Sequence, residues 1–113
     1  VIRRGDIWWA SLPEPLGSEP GGRRPIAIVQ ADDFNESSIL TVVAVILTTN
    51  LRLAKAPGNL LLPSRLTGLP KDSVANVSQV ATVDRRFLTE RIGTLQPPLL
   101  HRIDEGLRLV LNL

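Results

Sequence analysis

"ILTVVAVILT", Ile39 to Thr48, decides the fold. Polar and apolar residues do not alternate along it, and β-branched side chains dominate. A strand that is apolar at consecutive positions buries both of its faces, so this segment reads as a central strand covered on two sides. Its fully apolar part, Val42 to Leu47, is far shorter than the roughly 20 residues needed to cross a bilayer. Polarity returns at Thr48, Thr49 and Asn50, which marks a strand end.

Upstream, Ala31 to Ser38 carries Asp32, Asp33, Asn35 and Glu36 and reads as a turn or short helical piece. Before it, Pro25 to Gln30 (PIAIVQ) is a strand with Pro at its first position, and Asp6 to Ala10 (DIWWA) is another. Downstream, strands are expected at Asn59 to Leu62, Ser73 to Val77, Gln79 to Val83 and Ile92 to Leu95, separated by Pro, Gly and Ser. The period then changes. After Pro97 and Pro98, Leu99, Leu100, Ile103, Leu107, Val110 and Leu111 form one stripe at helical spacing. Gly106 weakens that helix by up to about 1 kcal/mol relative to Ala. The pattern predicts a mainly β fold: an antiparallel barrel or strongly coiled sheet with one docked C-terminal helix. Residues 1–113 form a single domain on this reading.

Composition excludes several chemistries. The chain has no cysteine, so disulfides, thiolate metal sites and cysteine nucleophiles are absent, which is compatible with a reducing cytoplasm. No charged-then-apolar signal segment opens it. Thirteen Lys and Arg against eleven Asp and Glu leave +2, a balance that permits a polyanionic ligand without demanding one. Between Asn50 and Val80, however, Arg52, Lys55, Arg65 and Lys71 face a single acid, Asp72.

The one histidine, His101, falls on the polar helix face with Asp104, Glu105 and Arg108, where a solvated surface role is the expectation. A Ser-His-Asp triad therefore lacks a base, and an imidazole metal site lacks a second ligand. Asp32 and Asp33 read as a solvated turn rather than as metal carboxylates, because neighbours in an extended chain point apart. Of Trp8 and Trp9, alternation turns one into the core and the other outward, to cover the helix, a partner subunit or a ligand base; packing is the commoner use.

The link between the first two strands, "GSEPGGRRP" (Gly17 to Pro25), is longer than a hairpin needs. Its glycines allow positive φ and expose amides, and Arg24 before Pro25 is biased toward extended geometry. A guanidinium at a strand start suits bidentate phosphate binding; a solvated flexible loop is the alternative.

Taken in order, "RGDIWWASL", "GSEPGGRRPIAIVQ", "LTVVAVILTTN" and "DSVANVSQVATVDRRFL" resemble the MazF/PemK family of bacterial toxin ribonucleases across nearly the whole chain. Two positions depart from the family pattern: Pro20 replaces a Gln, and Ala81 stands where a basic residue is common. The resemblance implies an SH3-like antiparallel barrel, a homodimer, a cytoplasmic location and a cognate acidic antitoxin. It implies metal-independent, cofactor-free cleavage of single-stranded RNA, leaving a 2′,3′-cyclic phosphate and a 5′-hydroxyl. Catalysis is carried onto Arg24 and Thr48; Ser18 and Glu19 would support the loop or touch RNA, and Thr49, Asn50, Ser73 and Gln79 are further RNA contacts. Two rivals remain at this point: a noncatalytic toxin of the same barrel that poisons a topoisomerase, and an SH3-like interaction module.

Overall fold

The computed structural model describes residues 1–13, 17 and 21–113. Its strands are β1 (Asp6–Leu12), β2 (Gly22–Ile28), β3 (Thr41–Thr48), β4 (Leu60–Leu62), β5 (Ser73–Asp84) and β6 (Leu88–Thr94); its helices are α1 (Asp32–Asn35), α2 (Ser64–Thr67) and α3 (Pro97–Leu111). All strand pairs are antiparallel, in the order β4-β5-β3-β2-β1-β6.

The central strand behaves as its composition predicts. Val45 and Leu47 enter an apolar cluster with Ile7, Ala27, Val77 and, from α3, Ile103. Val42, Ala44 and Ile46 enter a second cluster with Ala10, Ile26, Ile28 and Val83. Successive side chains of a strand point to opposite faces, so a strand serving two clusters needs apolar residues throughout. The two tryptophans divide the same way, Trp8 against the second cluster and Trp9 against the first, and both are half-buried.

Curling brings the sheet edges together. Gly68, in the left-handed region at φ +84, ends α2, and a Cβ there would lie 3.2 Å from the Ile92 side chain on β6. Thus the segment following edge strand β4 packs on the opposite edge strand. The buried carboxylate of Asp6, 1% exposed, ties the start of β1 to its surroundings. It accepts hydrogen bonds from the Arg3 amide at 3.0 Å, the Thr94 hydroxyl at 2.9 Å and the Trp8 indole at 3.4 Å, with the Arg91 guanidinium 3.5 Å away. A charge so deeply buried is tolerable only when paired and hydrogen-bonded.

Several boundaries differ from the sequence reading. The segments 73–77 and 79–83 are one strand: Val45 pairs with Val80 but Ile46 with Asn76, so residues 77–79 bulge out of register. Side chains hold the bulge. Asn59 accepts from the Val77 amide at 2.9 Å and donates to Asn76 at 3.2 Å, and the Ser78 hydroxyl donates to Asn76 at 3.0 Å. β2 starts at Gly22, which places Pro25 inside the strand opposite Trp9, while the ladder to β3 begins only at Ile26. β6 likewise starts earlier than expected. Asp32 lies in α1, where it accepts from the Arg4 amide at 2.7 Å and from Asn35 at 3.0 Å; these two bonds hold its carboxyl below the ordinary value of 3.8.

The helical stripe packs through Leu99, Ile103 and Leu107, but Val110 and Leu111 are exposed. Gly106 is more than a weak helix former. A Cβ at Gly106 would lie 2.2 Å from the Gly58 carbonyl oxygen, so the absent side chain sets how closely α3 docks. Gly106→Ala would gain up to about 1 kcal/mol in helix propensity. The backbone clash costs more, as overpacking of a tight contact costs about 1–3 kcal/mol and here the neighbour is main chain. We expect a net loss of about 1–2 kcal/mol in denaturant unfolding; a stabilised variant would show that α3 is free to shift.

Candidate active site

Arg24 and Thr48 come from neighbouring strands. The register pairs Ile26 with Ile46, and each candidate stands two residues beyond that pair, at the same end of the sheet and on the same face by alternation. Arg24 is exposed, and its Nε donates to the Gly21 carbonyl at 3.2 Å, which steers the guanidinium from its own strand end. Among the described residues no carboxylate pairs with it. Thr48 is half-buried, and its hydroxyl oxygen accepts from the Asn50 amide at 3.1 Å. That bond occupies a lone pair and leaves the hydroxyl proton available to an acceptor.

Arg24, but not Thr48, borders a cavity of about 280 Å³, lined also by Thr49, Ser73 and Lys71. Thr49 is exposed and can meet a ligand directly. Ser73 is only 1% exposed and donates its hydroxyl to the Lys71 carbonyl at 3.4 Å, so it forms the cavity floor. Asn50 caps the 3-10 turn Leu51–Lys55, accepting from the Arg52 amide at 3.3 Å. Gln79 is not among the cavity's residues; it lies in the bulge of β5 and accepts from Asn76 at 3.2 Å. Ser18 and Glu19 lie outside the described residues.

Two cavity residues, Arg23 and Lys71, had no distinctive signal in the sequence, whereas Trp9 was one of the two tryptophans weighed for a ligand base. Alternation along β2 separates the side chains of Arg23 and Arg24, yet both residues border the cavity. Arg23 lies over the Trp9 ring, 4.1 Å from its centroid. Lys71 arrives from the turn before β5. Only the local excess of cations after Asn50 hinted at it. His101 is exposed, lies 3.5 Å from Glu105 one helical turn on, and does not line the cavity. Among the described residues no three His, Asp or Glu side chains converge as a metal site would require.

Comparison with known proteins agrees with this architecture. A relative named Endoribonuclease MazF6, from Mycobacterium tuberculosis, is 46% identical over 113 residues, covering 100% of this chain and 99% of its own. The crystal structure of MazF from Deinococcus radiodurans superposes with a TM-score of 0.82 over 100% of this chain and 98% of that one, at 23% identity, and so speaks for the fold alone. A mycobacterial endoribonuclease in complex with its cognate antitoxin gives a TM-score of 0.75 at 25% identity, covering 100% and 97% of the two chains. With residues 3–111 matching the family described as PemK-like, MazF-like toxins of type II toxin-antitoxin systems, this chain belongs to that family.

Proposed function

We propose that this chain is the toxin of a type II toxin-antitoxin pair and acts as an endoribonuclease on single-stranded RNA. The reading is supported by the strand register, which puts a guanidinium, Arg24, and a hydroxyl donor, Thr48, at one end of adjoining strands. The full-length similarity to Endoribonuclease MazF6 supports it. The topoisomerase-poison and interaction-module alternatives give this pair no task.

RNA carries its own nucleophile, the 2′-hydroxyl tethered beside the phosphate, so positioning and charge stabilisation supply most of the acceleration. The 2′-oxygen attacks phosphorus and loses its proton to solvent. The bond from phosphorus to the 5′-oxygen breaks, and that oxygen takes a proton from solvent, which leaves a 2′,3′-cyclic phosphate and a 5′-hydroxyl. Arg24 holds the non-bridging oxygens as their charge grows; a guanidinium is a poor base and a good electrostatic clamp. Thr48 donates to the same phosphate. Thr49 contacts the strand next to it.

The protein works as a homodimer in the cytoplasm and is held in check by an acidic antitoxin segment that competes for the same cations. The mycobacterial neighbour bound to its antitoxin supports that partnership. No helix of the described residues is long and apolar enough to cross a membrane.

Purified toxin, freed of antitoxin, should cut single-stranded RNA in excess EDTA and yield fragments with cyclic phosphate and 5′-hydroxyl ends. Cleavage that vanishes in chelator and returns with magnesium would point to a metal-activated water instead.

A further inference from the structure

The cavity beside Arg24 holds more than a phosphate clamp needs. One wall is Trp9 with the Arg23 guanidinium stacked over it at 4.1 Å. Leu69 and Pro70, from the connection into β5, supply further apolar surface. Arg23, Arg24 and Lys71 are all cations, and among the described residues no carboxylate lines the cavity. Three other surface cavities each bring in an acid, Glu105 or Asp84. At about 280 Å³ the space is just below the roughly 300 Å³ at which pockets for drug-sized ligands begin, so it fits a single ring system. An aromatic and apolar wall beside three cations matches a flat ring that carries a phosphate.

We infer that this cavity seats one base of the RNA next to the cut, stacked on the Arg23–Trp9 pair, with the adjoining phosphates held by Lys71 and Arg24. The inference rests on the endoribonuclease reading above and adds a specificity-determining role for Arg23. Glu90, which faces Trp9 across β1 and β6, sits 3.7 Å from the Arg23 guanidinium. Both side chains are more than half exposed, so that ion pair is weak and gives way readily to a phosphate. A guanidinium plane stacks on a base as readily as on an indole, and a base can continue the stack.

The test uses a short single-stranded RNA spanning the cut mapped with the wild-type protein, with a deoxynucleotide upstream of the cut to block cleavage. One abasic nucleotide is placed at each flanking position in turn, and Kd is measured. The wild type should lose about tenfold at one position adjacent to the cut, the usual scale of one stacked base. Arg23→Ala should bind the intact RNA about tenfold more weakly and lose nothing further at that abasic position. Arg23→Lys keeps the charge without the plane and should remain insensitive as well. Equal abasic losses in wild type and Arg23→Ala, or full restoration by Arg23→Lys, would overturn the seat. So would unchanged RNA affinity in Arg23→Ala alongside weakened binding of an acidic peptide, which would assign the cavity to a protein partner. A wild type that cuts RNA yet shows no position-dependent abasic loss refutes the seat alone. A wild type that neither binds nor cuts RNA refutes the nuclease reading too.

Discussion

Arg24→Ala should lower the rate of RNA cleavage by a hundredfold or more while leaving thermal unfolding nearly unchanged. A preorganised donor aimed at charge developing in a transition state is worth about 3–4 kcal/mol, and a charged fork belongs at the upper end of that range. The same side chain contributes little to the fold. It is exposed, and it makes one described hydrogen bond, from Nε to the Gly21 carbonyl. Losing a single exposed bond costs roughly 0.5–1.5 kcal/mol at most. The two scales separate a chemical role from a structural one. Single-turnover cleavage by the variant, compared with its denaturant midpoint, reads both. Arg24→Lys should recover part of the rate, since a point charge survives but the bidentate geometry does not. Turnover equal to wild type in Arg24→Ala would remove Arg24 from the reaction. Arg23→Ala, one residue away, should act through affinity instead, because Arg23 lies on Trp9 rather than beside Thr48.

The contrast between these two arginines shows how far the sequence could be read. The unbroken apolar run around Val42 to Leu47 revealed a two-sided strand because burial on both faces leaves no polar position. Arg24 and Thr48 were named through the family resemblance, and the strand register puts them at the same end of adjoining strands. The bulge at residues 77–79 was not legible. It depends on Asn59 and Asn76, hydrogen-bonded to each other across 17 positions, and local patterning carries no trace of such a bond. Gly106 misled for a related reason. Propensity describes an isolated helix, whereas the Gly58 carbonyl that makes a side chain intolerable there is a tertiary neighbour. The same holds for Lys71, which reaches the cavity only because the connection into β5 folds beside β2.

Replacing the ribose just upstream of the cut by deoxyribose should abolish cleavage outright and leave most of the binding. This is the strongest consequence of a site built from Arg24 and Thr48. Neither group is a base at neutral pH, and His101, the chain's one histidine, lies on an exposed face of α3. The attacking oxygen must then come from the substrate. Removing it deletes the nucleophile rather than weakening a contact, so no residual rate from charge stabilisation should survive. Binding has other sources. Phosphate contacts position a strand without reading its sugar, and stacked bases need no 2′-hydroxyl. The deoxy-substituted strand should therefore compete with intact RNA, with an inhibition constant close to the substrate's own Kd. A 2′-hydroxyl also lets proteins recognise RNA by hydrogen bonding, and loss of that contact alone would weaken binding and slow the reaction only in part. The two cases diverge at saturating strand concentration, where recognition no longer limits and chemistry does. Cleavage of the saturating deoxy strand at a rate comparable to RNA would make water the nucleophile, and Arg24 and Thr48 would then serve a hydrolysis whose base lies elsewhere.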